Sequence, residues 1–206
     1  MSELNEQEKI RRESLIKLKE LGINAFPAEE FKTTANSKEI KDNYLETKNN
    51  FQNVSLAGRI MSRRIMGKAS FAELKDFKGR IQLYLNRDEI CEGEDKTMYN
   101  DVFKKCLDIG DIIGVEGRVF KTKVGETSVM VKKLKVLSKS IKPLPVVKTD
   151  SEGVTYDAFK DTELRYRQRS LDLIVNDGAW GVFEKRTKIF NSIRNRLNKE
   201  GYIEVE

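Results

Sequence analysis

Five side chains carry the chemistry that can be read from this sequence: Arg63, Arg64, Phe71, Gln82 and Glu126. A phenylalanine ring on a polar surface offers a flat face. A nucleobase stacked there gains roughly 1–3 kcal/mol with little preference among bases. Choosing a base requires directional hydrogen bonds to its edge. The Gln82 amide supplies a donor and an acceptor, and the Glu126 carboxylate supplies acceptors. A guanidinium from Arg63 or Arg64 can hold a phosphate or a carbonyl. A uracil edge, with N3–H between two carbonyls, suits one such acceptor flanked by donors. The residue types allow an equal alternative, in which Phe71 packs beneath a loop and Gln82 and Glu126 are ordinary surface.

What must position these groups is a set of strands. Residues 59–85 and 121–131 alternate with period 2. Ala72 and Leu74 point one way, with Phe71, Glu73 and Lys75 opposite. Ile81, Leu83 and Leu85 take the core side, leaving Arg80, Gln82 and Tyr84 outside. Thr127, Val129 and Val131 alternate with Glu126, Ser128 and Met130. Phe71 therefore falls in the register otherwise filled by charge and amide groups, where an uncovered ring costs exposed apolar area.

Other chemistry is thinly supported. Histidine is absent from the 206 residues, which removes imidazole acids, bases and metal ligands. Cys91 and Cys106 form no CxxC pair, so neither a disulfide framework nor a zinc site is expected. GKAS at 67–70 is not a phosphate loop, because Ser62 stands where the motif needs glycine and Ala69 where it needs serine or threonine. Asp172 and Asp177 share no cleft that the pattern defines. No catalytic and no metal residues are assigned.

The net charge of +6 is unevenly spread. Residues 1–53 carry 9 basic and 10 acidic side chains, residues 54–141 carry 18 and 12, and residues 142–206 carry 12 and 11. The excess lies on the segment holding Phe71, Gln82 and Glu126. Such a field draws polyanions, nucleic acid first, or serves only solubility. No apolar run approaches the roughly 18 residues of a membrane span, and the N-terminus has no secretory signal. A cytoplasmic protein with no membrane partner is expected.

In chain order, residues 3–21 predict a helix with Ile10, Leu15, Leu18 and Leu21 inward and Gly22 past its end. A second helix begins at Asn36 or Ser37, with Glu39 completing a capping box and Ile40, Tyr44 and Leu45 inward. Lys17, Lys19 and Lys41 are able to line an RNA groove, but packing of these helices on the β domain is favoured. Strands then run from Val54, through the pair 70–76 and 80–85 joined at Phe77-Lys78-Gly79. An irregular acidic loop spans 86–98, and a short helix buries Tyr99, Val102, Phe103, Cys106 and Leu107. The fourth strand is 112–120, and the fifth follows the turn at Val124-Gly125. Three strands, a helix and two strands is the order of a five-stranded OB barrel, whose strands 2 and 3 form the binding face. Pro143 and Pro145 make a stiff exit. Residues 146–160 read as loop, and 161–174 as an ion-paired hinge rather than an RNA contact. A long helix covers 179–199 with Phe183, Phe190, Ile193 and Leu197 on one stripe, and Tyr202, Ile203 and Val205 start a strand. The fold class is mainly β with flanking helices. Its divisions are an N-terminal helical extension at 1–53, the barrel at 54–141, a linker at 142–177 and a further domain starting at 178.

RIMSRRIMGKASFAELKDFKGRIQLYL, FKTKVGETSV, KPLP, RYRQRSLDLI and FEKRTKIFNSIRNRLNKEGYIEVE occur in this order, after KLKELGINAFP. Together they resemble the N-terminal part of the bacterial-type lysyl-tRNA synthetases, class II aminoacyl-tRNA synthetases. Aspartyl and asparaginyl enzymes share the barrel, but RRIMGKASF and RYRQR resemble the lysine branch. The resemblance implies an anticodon-binding barrel, lysine tRNA as partner, and ATP with Mg2+ used by a homodimeric parent enzyme. It implies that Phe71 stacks on an anticodon base and that Arg64, Gln82 and Glu126 contact the central uridine. Two departures are Ser170, where the family usually has an aromatic residue, and the long 86–98 loop. GYIEVE resembles the start of the first class II motif. On that resemblance residues 178–206 open a truncated catalytic domain lacking motifs 2 and 3, and the chain alone is expected not to form lysyl-adenylate. The rival readings are a general single-strand-binding OB protein and a protein-docking barrel.

Overall fold

The computed structural model describes residues 4–48, 50–91, 93–145, 148–149, 155–156 and 159–205. The chain divides into two compact units, Met1–Pro143 and Leu144–Glu206. The first is built on a closed barrel of β1 (Val54–Met66), β2 (Ala69–Lys75), β3 (Arg80–Asn86), β4 (Ile112–Lys121) and β5 (Thr127–Ser138). Around the barrel the order is β1-β2-β3-β5-β4, with β4 pairing back onto β1. All pairs are antiparallel except β3 with β5. This is the five-stranded OB arrangement expected from the element order.

Alternation drives the closure. Leu56, Ile60, Leu74, Ile81, Leu83, Leu85, Ile113, Val115, Val129 and Val131 are all buried in one core. Deleting such a side chain, Leu83→Ala for instance, costs about 2–5 kcal/mol. Two irregularities bend the strands. β4 and β5 shift register at Glu116/Gly117, where a Cβ on Gly117 would lie 2.0 Å from the Met130 carbonyl oxygen, so only glycine fits. β1 and β2 shift between Ile60 and Ser62.

Between β3 and β4 the acidic 86–98 segment is not wholly irregular: α3 (Arg87–Ile90) makes one turn, capped by the Asn86 side chain. A π-helix, Met98–Cys106, follows. Its Tyr99, Val102, Phe103 and Cys106 are buried, as is Leu107, whose N–H donates to the Val102 carbonyl. At the N-terminus α1 (Glu6–Glu20) starts with a reciprocal capping box between Asn5 and Glu8. Its inward face is Arg11, Ser14 and Leu18, while Ile10 and Leu21 are exposed, contrary to the apolar spacing. The reason is Arg11, which caps the Ile109 and Ser140 carbonyls and so turns its own side of the helix inward.

α2 (Ser37–Asn43) is capped by Asn36, which accepts from the Glu39 N–H; the Glu39 carboxylate receives the Asn36 side-chain amide. Ile40 and Tyr44 are buried, but Leu45, beyond the helix end, is exposed.

In the second unit, β6 (Lys148–Thr149) pairs with β7 (Thr155–Tyr156) inside what reads as loop; the rest of 146–158 lies outside the described residues. α4 (Thr162–Arg167) and α5 (Arg169–Val175) follow. Asp172 is buried and receives Arg165, Arg169 and Asn176. Arg167 pairs with Glu163. The arginines of this segment are ion-paired, as the balance of charges suggests. α6 (Asp177–Lys199) ends at Gly201, φ +88°, with the Tyr202 N–H on the Leu197 carbonyl. Phe190, Ile193 and Leu197 are exposed on it. Residues 202–205 join no ladder, because a strand needs a neighbour and the described residues supply none there. No helix among the described residues is long and apolar enough to cross a membrane.

Candidate nucleic-acid interface

The outer face of the barrel is organised in two parallel ranks set by strand register. One reads Arg64, Phe71, Tyr84, Met130, Arg118 across β1, β2, β3, β5 and β4. The next reads Ser62, Glu73, Gln82, Ser128, Phe120. Directly opposed side chains on one sheet face stand about 4.5–5.5 Å apart at Cβ. The two ranks therefore put an aromatic, a guanidinium, an amide and a carboxylate within reach of one small planar ligand.

The β1–β3 part of these ranks, together with the β4–β5 turn, lines a groove of about 590 Å³. Arg64, Phe71, Gln82 and Glu126 all line it, joined by Glu73, Arg80, Thr122, Val124 and, from α2, Lys41. Arg63 does not. Its guanidinium donates to the Phe103 and Lys104 carbonyls and stands 3.8 Å from Asp108, closing the end of the π-helix. The register shift after Ile60 explains the difference. With one residue added to β1 at that point, Ser62 and Arg64 face the groove and Arg63 faces the π-helix.

Phe71 is half-buried. Tyr84 lies against it at 5.2 Å between ring centroids, tilted by 53°, and Phe120 meets Tyr84 edge-on at 5.9 Å. These contacts support the Phe71 ring from one side while it still lines the groove. Tyr84 shares the outward alternation of Gln82, so its position was legible in the sequence; its support of Phe71 depends on the cross-strand pairing.

Hydrogen bonding divides the polar roles. The Ser128 hydroxyl donates to Gln82 Oε1 at 2.7 Å, which leaves the Gln82 NH2 as the group available to a ligand. Glu126 follows Gly125, whose φ of +85° makes the turn. Its backbone is held twice, the N–H donating to Thr122 Oγ1 and the carbonyl accepting from the Thr122 N–H. Its carboxylate lies 3.6 Å from Lys41 Nζ. Glu73 is paired with Arg80 at 2.9 Å. Among the described residues no hydrogen bond or ion pair engages the exposed Arg64 guanidinium, and it is the cation of the groove open to a phosphate or carbonyl. Alternation places Glu73, Arg80 and Ser128 on this face, but the pairing of Glu73 with Arg80 and of Ser128 with Gln82 runs across strands and leaves no local signal.

The same region stands out on comparison with known proteins. Residues 54–137 match the tRNA anti-codon family model, an OB-fold nucleic acid binding domain. Over 206 residues the chain is 57% identical to a lysine–tRNA ligase of Christiangramia forsetii, covering all of this chain and 36% of that protein. It is 56% identical over 205 residues to a lysine–tRNA ligase of Porphyromonas gingivalis, covering 99% of this chain and 35% of that one. A lysine–tRNA ligase of Azobacteroides pseudotrichonymphae is 55% identical over 203 residues, 98% of this chain and 40% of the relative. The chain thus spans little more than a third of the length of these curated relatives. Its barrel belongs to the OB-fold nucleic acid binding domains, and from end to end the chain is homologous to the lysine–tRNA ligases.

Proposed function

We propose that the barrel binds the anticodon loop of a lysine tRNA and reads its central uridine in the groove. The observation that carries this reading is the convergence of Arg64, Phe71, Gln82 and Glu126 on one groove. Phe71 is the stacking platform. Since Gln82 Oε1 is occupied by Ser128, Gln82 donates to a uracil carbonyl, and the acceptor for N3–H falls to Glu126. Arg64 holds the second carbonyl or the neighbouring phosphate. Cytosine offers a lone pair at N3, which faces the Glu126 carboxylate with repulsion, so the same group both selects and rejects.

The homology extends the proposal to the whole protein: ATP-dependent joining of lysine to its tRNA, with Mg2+, by a homodimer working in the cytoplasm. No group of three or more His, Cys, Asp or Glu among the described residues is arranged to hold a metal ion, and no step of that reaction is assigned to them.

The test is binding of anticodon stem-loops carrying U or C at the centre, measured by fluorescence anisotropy across a salt series. Tighter binding of the U loop, with affinity falling as salt rises, is expected. Equal binding of both, with ready displacement by oligo(dT), replaces the reading with a general single-strand binder. No binding to either at low salt replaces it with a protein-docking barrel.

A further inference from the structure

The groove has one wall that the barrel does not make. α2 lies outside the β-strands, yet its Lys41 lines the groove beside Glu126. The helix is held there by two anchors. At its first residue, the Ser37 N–H and hydroxyl both donate to the Asp76 carboxylate, at 2.6 and 2.7 Å. The same carboxylate accepts from the Lys78 and Gly79 N–H groups and shapes the β2–β3 turn. One turn on, Ile40 is fully buried. Lys41 thus projects from a backbone fixed on both sides. Glu126 presents the complementary case. Its N–H and carbonyl are tied to Thr122, so only its side chain is free to choose a direction. Among the described residues, the ion pair with Lys41 is the contact that biases that choice.

We propose that Lys41 is a positioning residue for base recognition, orienting the Glu126 carboxylate so that it faces the N3 edge of the stacked base. The N-terminal helical segment is then part of the reading site, and Asp76 is the clasp that keeps it in register with the barrel. The inference rests on the base-reading function proposed above. Both partners are nearly half exposed, 43% and 49% for the two side chains, so solvent screens the pair and its effect is modest.

The experiment is a double-mutant cycle on the full chain, reading the ratio of dissociation constants for U-centred and C-centred anticodon stem-loops. Lys41→Met is expected to lower that ratio about threefold, in line with a half-exposed ion pair, while Lys41→Arg retains it. In a Glu126→Gln background, Lys41→Met should change the ratio no further. Asp76→Ala, which frees α2 without touching either partner, should lower the ratio as Lys41→Met does. If Lys41→Met weakens both RNAs equally and leaves the ratio intact, Lys41 is a phosphate contact and the positioning role is wrong. An unchanged ratio with unchanged affinity also overturns it. If Glu126→Gln alone leaves the ratio unmoved, Glu126 does not read the base and the role of Lys41 falls with it, whereas equal binding of the two loops by the unaltered chain removes the base-reading function itself.

Discussion

Two charged clusters on the first unit use the same residue types to opposite ends. Beside β4 and the end of β5, Lys139 is buried with its ammonium on Asp111 at 2.9 Å and on Asp108. Asp111 also accepts from the Asp108 and Ser140 N–H groups. Burial pushes the Asp111 carboxyl up from its ordinary value, with Lys139 and these N–H groups pulling against it. In the groove, the pairs Glu73–Arg80 and Lys41–Glu126 are each partly open to water. Water decides what each cluster can do. A buried pair must satisfy itself completely because a lone charge there is costly, so it ends up structural. A half-exposed pair is held by little more than a few tenths of a kcal/mol to about 1 kcal/mol, and can exchange its partner for a ligand at small cost.

The largest effect that bears on this contrast is expected from Lys139→Met. It strands the Asp111 carboxylate and should destabilise the first unit by about 3–5 kcal/mol. Urea unfolding followed by far-ultraviolet circular dichroism measures it. A loss no larger than that for removing Lys41 erases the distinction between the clusters. Next comes Phe71→Ala, expected to weaken RNA binding by about 1–3 kcal/mol, equally for U- and C-centred loops. Anisotropy titration reads this, and a loss confined to one loop contradicts a stacking role.

The neighbours Arg63 and Arg64 sharpen the comparison within a single dipeptide. Arg63→Ala uncaps the Phe103 and Lys104 carbonyls and should cost about 1 kcal/mol of stability with little change in the salt dependence of RNA binding. Arg64→Ala should do the reverse, flattening the salt dependence by about one counterion while the melting temperature stays put. Swapped outcomes mean that the register shift in β1 has been misassigned.

The smallest effect belongs to the second unit. Burial of Asp172 raises its pKa, but hydrogen bonds from Asn176, Arg165 and Arg169 outweigh it, and the net direction is down. A depressed acid contributes stability that is present above its unfolded value, about 3.9, and is lost as pH falls through the lower folded one. The protection of α4 and α5 amides against exchange, taken relative to the intrinsic rate at each pH, should therefore fall on acidification below about pH 4, and Asp172→Asn should abolish that pH step. Persistence of the step in the variant assigns it to another group.

Much of the site was legible in the residue order because β-strands impose parity. Phe71, Gln82 and Tyr84 face outward as alternation requires, and Ile81, Leu83 and Leu85 face in. The turn glycines at 79 and 125 and the cap at Asn36 are local events, readable from a few neighbouring residues; the caps at Asn5 and Asn86 are equally local but emerge only in the structure. Helix faces were less legible. Apolar spacing pointed Ile10 and Leu21 inward on α1, but a single arginine able to cap two distant carbonyls outweighed them.

Residue order alone determined the barrel, its polar face and the ring upon it, since strand parity, turn chemistry and apolar burial act over a few residues at a time. Tertiary structure decided which of two adjacent arginines enters the groove, because one extra residue in β1 reverses parity and only the paired strand reveals it. It also brought Lys41 to Glu126, residues 85 positions apart, through a carboxylate on a third segment. Contacts of that kind depend on where separate elements come to rest, and no local pattern encodes that.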